Sequence, residues 1–290
     1  MKKLLVASAA LAVLIVMPAL AADMPVKAPP PTPAPAPTWT GFYLGVEAGG
    51  AWSDRDVNWS GNDPASAQLF NGLGIAGNQP LIASYAVNRA GAVGGAEIGY
   101  NWQSGSNVVM GVEADISAAH VAGTATATST FDTAITPAIL QSTTSHQDTE
   151  WYGTLRGRLG WLATPNLLLF GTGGLAYGRT SLTANETFSG PSGGITFNFN
   201  GFSANCTINV PCFAGSGAAT KTGWTAGGGV EWQFAAHWSA KIEYLFVDLG
   251  TQSLIVSALN TLNNGTAPSS FTAAFRDEMN VARLGLNYRF

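Results

Sequence analysis

The last ten residues of the chain, VARLGLNYRF (residues 281–290), present two unlike faces at a period of two. Leu284, Leu286, Tyr288 and Phe290 fall on one face, and Arg283, Gly285, Asn287 and Arg289 on the other. Such alternation describes a strand whose two sides meet different surroundings. Which side meets water decides the fold. The same pattern recurs upstream. In GFYLGVEAGGAW, Phe42, Leu44, Val46, Ala48 and Trp52 oppose Tyr43, Gly45, Glu47 and Gly49. In AEIGYNW, Ile98, Tyr100 and Trp102 oppose Glu97 and Asn101, and in VVMGVEADI, Val108, Met110, Val112 and Ile116 oppose Glu113 and Asp115. WYGTLRGRLGW sets Trp151, Leu155, Leu159 and Trp161 against Arg156 and Arg158. GWTAGGGVEWQF sets Trp224, Val230, Trp232 and Phe234 against Glu231 and Gln233, and HWSAKIEYLF sets Trp238, Ile242, Tyr244 and Phe246 against Lys241 and Glu243. LLLFGTGGLAYG (residues 167–178) makes an eighth strand, whose inward face the pattern leaves open because both parities are apolar.

In each of the other seven strands the charges lie opposite the large apolar side chains, and tryptophans gather at strand ends. A soluble sandwich would place the charges outside and the aromatics inside. The reverse arrangement is what the wall of a transmembrane barrel requires, with an apolar band outside and aromatic girdles at both interfaces. Trp39, Trp52, Trp102, Trp151, Trp161, Trp224, Trp232 and Trp238 are the expected interfacial aromatics. Connections alternate in length: QSGS, ATP and AAH are tight, while residues 53–90, 117–149, 179–222 and 250–277 read as long polar loops. Short periplasmic turns and long extracellular loops complete the expected fold, an all-β, eight-stranded antiparallel transmembrane barrel with both termini on the periplasmic side. Closure also leaves no unpaired edge in hydrocarbon.

The ends agree with export. MKKLLVASAALAVLIVMPALAAD has a basic start, an apolar run and small residues at a cleavage site, so residues 1–22 read as a signal peptide. Residues 23–38 form a Pro/Ala-rich periplasmic tether, and residues 39–290 the barrel domain. Only 10% of residues are charged and 35 are Gly, a composition unlike that of a soluble domain. Loss of Lys2 and Lys3 with the leader takes the formal charge from -4 to -6, which excludes nucleic acid as a partner. Cys206 and Cys212 are the only cysteines, and in an oxidising compartment they are expected to pair. No third ligand accompanies them, so no metal is expected.

Other chemistry is weakly supported. GTGGLAYG resembles a glycine-rich cofactor turn, but no helix and no spaced acidic residue follow it, so no cofactor is expected. Ser145, His146 and Asp148, with His120 nearby, can be drawn as a nucleophilic triad, yet serine abounds in these segments and proximity in sequence is not geometry. His237, in a tight turn beside Trp238, reads as an interfacial side chain. No enzyme is expected. Inside the barrel, Glu47, Glu97, Glu113, Asp115, Glu231 and Glu243 face Arg156, Arg158, Lys241, Arg283 and Arg289. Near balance in a lumen of low dielectric predicts an interlocking ion-pair network that plugs it. A small ion-selective pore is the rival reading.

TWTGFYLGVEAGGAW, GTGGLAYG, GWTAGGGVEWQFAAHWSAKIEYLFVDLG and the terminal VARLGLNYRF together resemble the RopB-like outer-membrane proteins of alphaproteobacteria, relatives of the OmpA/OmpX-type small barrels. The resemblance covers the strands and not the loops. It implies a surface barrel that contributes to envelope integrity and is displayed as an antigen, surrounded by outer-membrane lipid and lipopolysaccharide. It further implies that Tyr288 and Phe290 form the signal read by the barrel assembly machinery. It transfers no catalytic residue. A ligand-binding or adhesive role for the loops, notably that holding Cys206 and Cys212, is the further alternative.

Overall fold

The computed structural model describes residues 38–71, 79–105, 107–132, 138–191, 193–260 and 266–290. The expected signal peptide and nearly all of the tether lie outside them. Eight strands close a barrel: β1 (Gly41–Gly61), β2 (Ser84–Ser104), β3 (Val108–Asp132), β4 (Ile139–Thr164), β5 (Leu167–Ser189), β8 (Pro211–Gln233), β9 (Trp238–Ala258) and β11 (Ser270–Arg289). Each pairs antiparallel with its neighbours, and β11 closes on β1 with Tyr43 opposite Arg289. The Phe290 N–H donates to the Phe42 carbonyl at 3.0 Å, which ties the two ends of the barrel together beside the short turns. Between β5 and β8 the chain adds a hairpin, β6 (Gly194–Phe199) and β7 (Phe202–Thr207), joined by β10 (Ala267–Pro268) into a three-stranded sheet. The hairpin turns at Asn200 and Gly201, with φ of 49° and 82°. That is the left-handed pair a two-residue hairpin needs, and Asn-Gly adopts it readily. A helix, α1 (Pro64–Asn71), lies between β1 and β2. Its start is capped by Asp63, whose Oδ1 accepts the N–H groups of Ala65 and Ser66 at 3.0 Å each.

The outward faces are as the alternation predicts. Val46, Ile116, Leu159, Leu175, Ile242 and Leu284 are exposed, and they are flanked by two rings of aromatics. One ring, beside the short turns, includes the pairs Phe42–Phe290, Tyr100–Trp102, Trp232–Phe234 and Trp238–Tyr288. The other includes Trp52–Tyr244, Trp151–Tyr177 and Trp224–Phe246. Ten residues separate Phe42 from Trp52; at about 3.3 Å per residue and a tilt of about 40° they span about 25 Å, the height of an outer-membrane apolar band.

The strands do not stop at the second ring. A strand the length of β1 reaches about 50 Å along the axis, twice the apolar band. Three of the four stretches read from composition as loops are therefore largely strand, and residues 53–90 are strand at both ends with a helix between. Their polarity conceals this, because Thr and Ser suggest loops by composition although Thr favours strands. TATATSTF in β3 pairs with β4, where Thr126 and Thr128 bond Thr144 and Ser142 at 2.9 Å across the ladder. Above the band the two faces exchange character. Asp54, Asp56, Asn58 and Ser60 now point out, while Val57, Trp59, Leu182, Phe188, Phe213, Leu254, Phe271 and Phe275 point in. These inward residues form an apolar core with Leu69 of α1 and the Cys206–Cys212 disulfide at its edge. The disulfide closes a short turn, so chain entropy sets its contribution at about 2 kcal/mol. Cys206→Ala with Cys212→Ala should lower the unfolding free energy of this upper half, read from urea titration, by that amount and expose the β6–β7 hairpin to limited proteolysis. Unchanged cleavage would mean the disulfide does not hold the hairpin.

Candidate functional site: the charged lumen

All eleven charged side chains assigned to the lumen face inward and are buried. Arg156, on β4, is the hub. Its Nη1 lies 2.6 Å from Glu243 of β9, and its Nη2 lies 2.9 Å from Asp115 of β3 and also pairs with Glu113. Arg283 of β11 holds Glu47, Asp115 at 3.2 Å and Glu243 at 2.7 Å. Lys241 of β9 pairs with Glu97 and reaches Glu113 and Glu243 at 3.4 Å each. Arg158 pairs with Glu231 and approaches Glu113 at 3.8 Å, and Arg289 stands 4.0 Å from Glu231. Strand order explains the mesh: consecutive ladders carry Glu97, Glu113 with Asp115, then Arg156 with Arg158, so opposite charges meet across β3 and β4 and again across the lumen.

Neutral donors extend the network. The Tyr43 hydroxyl donates to Glu113 at 2.6 Å, Ser117 to Glu47 at 2.9 Å, Thr154 to Asp115 at 2.5 Å and Ser239 to Glu231 at 2.5 Å. Tyr43 reaches across only because Gly99 of β2 has no side chain. A Cβ there would lie 2.3 Å from the phenol. Glu47, Glu97 and Glu243 also bring carboxylate oxygens within 4.8 Å of one another, a spacing that suits a metal ion. Lys241 and Arg283 already contact that group of carboxylates, so the protein's own cations fill the role.

Apolar layers bound the network on both sides. Above it lie Ala51, Val93, Val121, Tyr152, Leu245, Val247, Met279 and Val281. Below it, at the mouth beside the short turns, lie Trp39, Val109, Leu162, Leu168 and Phe170. Leu168 and Phe170 settle the inward face of β5. The Arg158 guanidinium sits 3.9 Å over the Phe170 ring, a contact that alternation in an all-apolar stretch could not disclose. The glycines of that stretch serve the wall: a Cβ on Gly174 would meet the Leu155 carbonyl at 2.1 Å.

Trp39 corrects an expectation. It is fully buried rather than interfacial, with its indole N–H donating to the Pro165 carbonyl at 3.0 Å and the Arg289 guanidinium 4.5 Å over its ring. The chain enters the barrel across the mouth, and the first large side chain after the prolines fills it. The other seven expected tryptophans lie on the outer face, Trp151 partly covered and Trp52, Trp102, Trp161, Trp224, Trp232 and Trp238 exposed. Trp59, which was not assigned, belongs to the upper core. Phe290 is exposed in the lower aromatic ring, with Tyr288 5.2 Å away.

The triad drawn from sequence does not assemble. Ser145 is buried, accepting from the Trp59 indole at 3.1 Å and lying 2.8 Å from the Tyr85 hydroxyl. His146 points outward to Thr124 at 2.8 Å, while Asp148 meets the exposed His120 at 3.2 Å. His237 sits 2.8 Å from the Arg289 carbonyl and stacks on Tyr288. Sequence reasoning missed a second polar layer, Arg89 with Asp277 at 3.1 Å, because both residues fell in segments read as loops. Their signal was alternation with Val87 and Phe275, the same period of two.

A family model for the outer membrane protein beta-barrel domain matches residues 7–290. The 31 kDa outer-membrane immunogenic proteins of Brucella melitensis and Brucella suis are each 31% identical over 293 residues, with 100% of both chains covered. The outer membrane protein OprG of Pseudomonas aeruginosa aligns at 11% identity over 87% of this chain and 97% of its own, with a TM-score of 0.44. Eight closed strands, two aromatic rings 25 Å or so apart and a match along nearly the whole length lead to one conclusion: the chain belongs to the outer membrane protein beta-barrel domain family and resides in the outer membrane.

Proposed function

We propose that the protein is a structural component of the outer membrane whose lumen is sealed, and that its upper half is the surface seen from outside the cell. The observation that carries this reading is the mutual pairing of opposite charges across the lumen. Each of the five lumen cations meets at least one carboxylate within 4.0 Å, and tyrosine, serine and threonine hydroxyls take further carboxylate oxygens. A conducting pore instead needs groups that exchange partners with a passing ion. With apolar layers above and below, an ion would have to break several charge-assisted contacts at once. The upper half, standing well beyond the apolar band, presents folded strands rather than loose loops. The Brucella relatives carry the word immunogenic in their names, which supports surface display here. No catalytic role is assigned, in keeping with the separation of Ser145 from His146.

Single-channel recording of the folded chain in a planar bilayer tests the seal. Insertion shown by heat-dependent gel mobility, together with a silent membrane, is the expected outcome. Steady ion-selective steps that change on Glu113→Gln would instead make the charged layer a selectivity filter.

A further inference from the structure

One seam of the barrel differs from the rest. The β8–β9 ladder holds from Trp224 opposite Asp248 down to the short turn, resumes at Ala214 opposite Ser257, and is interrupted between. Over residues 215–223 the β8 edge that faces β9 has no ladder partner, although its other edge stays paired to β5 through Arg179, Ser181 and Thr183. Gly250 of β9 lies at φ 81°, with its N–H held by Asp248 at 2.7 Å, and this turn draws β9 out of register. Lumen-side positions of β8 become accessible in consequence. Gly217 is exposed and Ala219 and Lys221 are half-buried, while Thr180 and Leu182 on the facing parity of β5 are buried.

Lys221 stands in this opening. Among the described residues every arginine and the other lysine, Lys241, has a carboxylate within 4.0 Å: Arg55, Arg89, Arg156, Arg158, Arg179, Arg276, Arg283 and Arg289 complete the set. Lys221 has none. Thr220 and Thr222 flank Lys221 on the outer face, both exposed. A cation without an anion and exposed hydroxyls on either side of it match a group that carries both phosphate and sugar hydroxyls.

Height selects the source of that group. Lys221 lies three residues beyond Trp224 of the upper aromatic ring, about 8 Å along the axis at ordinary rise and tilt. That is the headgroup layer just outside the hydrocarbon. We propose that the opened β8–β9 seam is a binding site for the phosphorylated saccharide headgroup of an outer-leaflet glycolipid, with Lys221 on the phosphate and the Thr220 and Thr222 hydroxyls on the sugar. The site lies outside the sealed layer and does not depend on whether the lumen conducts.

The test uses the full barrel in phosphatidylcholine nanodiscs, titrated with fluorescent lipid A in bisphosphorylated and dephosphorylated forms and read by energy transfer from tryptophan. Lys221→Ala should weaken binding of the phosphorylated lipid about fivefold, the worth of one lysine at a membrane surface, and leave the dephosphorylated lipid unchanged. Lys221→Arg should restore it. Heat-dependent gel mobility establishes that each variant is folded; Lys221 packs in no core, so folding should persist. Equal binding by Lys221→Ala and the parent chain overturns the proposal, as does equal weakening for both lipids. Displacement by millimolar inorganic phosphate would overturn the lipid assignment and leave a site for soluble anions.

Discussion

Arg156→Ala should destabilise the barrel by about 3–5 kcal/mol, the range for removing one partner from a buried ion pair. The reason lies in what it leaves behind. Arg156 contacts Glu113, Asp115 and Glu243, and all four side chains are shut off from solvent. Without the guanidinium, Asp115 and Glu243 keep Arg283 and Glu113 keeps Lys241, so the loss is one of balance rather than total exposure of charge. Six lumen carboxylates then face four cations. Urea unfolding in vesicles measures the effect, and the temperature of the gel-mobility shift should fall with it. A variant as stable as the parent would show that the layer contributes little and that water already enters it. Conductance offers an independent reading. A plug weakened at its hub should leak, whereas a distributed plug should remain silent.

The second large effect concerns Glu186, which has no such partners. It lies on β5 between Leu182, Ala184 and Phe188, with Thr143 and Phe213 across its two ladders. It is fully buried, and neither carboxylate oxygen has a hydrogen-bond partner among the described residues. Burial alone pushes its pKa up to about 8. Its pKa in the unfolded chain is near the ordinary 4.3. The folded state therefore binds the proton more tightly, and stability is fully present in acid. It falls as pH rises from about 4.3 to about 8, by a total on the order of 5 kcal/mol, and is level above that. The upper core should loosen over this window, which Trp59 fluorescence reports from within the same cluster. Glu186→Gln should remove the pH dependence. A parent chain whose upper half is equally stable at pH 5 and pH 9 would mean that the carboxyl is hydrated.

The difference between these two sites shows what could be read from the chain. Arg156 and its partners were legible because each sits one residue from a large apolar side chain, and strand parity alone sends it inward. Glu186 was hidden in TANETF, where threonine and asparagine made a strand resemble a loop. Trp39 was misplaced for another reason: a side chain ahead of the first strand has no parity, and only the path of the chain across the mouth puts it inside. Phe170 owes its facing to Arg158 on the neighbouring strand, a contact that alternation cannot locate, since Leu167, Leu168 and Leu169 are equally apolar. Local alternation specifies facing. It does not specify what fills the ends of the lumen, where contacts come from residues far apart in the chain.

The exchange of faces above the apolar band has a consequence for reading related chains. Along β1 the even positions carry the apolar side chains as far as Trp52, and from Val57 onward the odd positions carry them, with no residue inserted between. The period is constant and its phase reverses. On β5 the same reversal falls between Tyr177 and Leu182. A lipid-facing wall wants its oily side outward and a water-facing wall wants it inward, so the residue at which the phase turns over marks the outer surface of the bilayer. Hydropathy averaged over a window cancels the two phases and shows nothing. The sign of the alternation, followed along a single strand, carries the depth of the protein in its membrane.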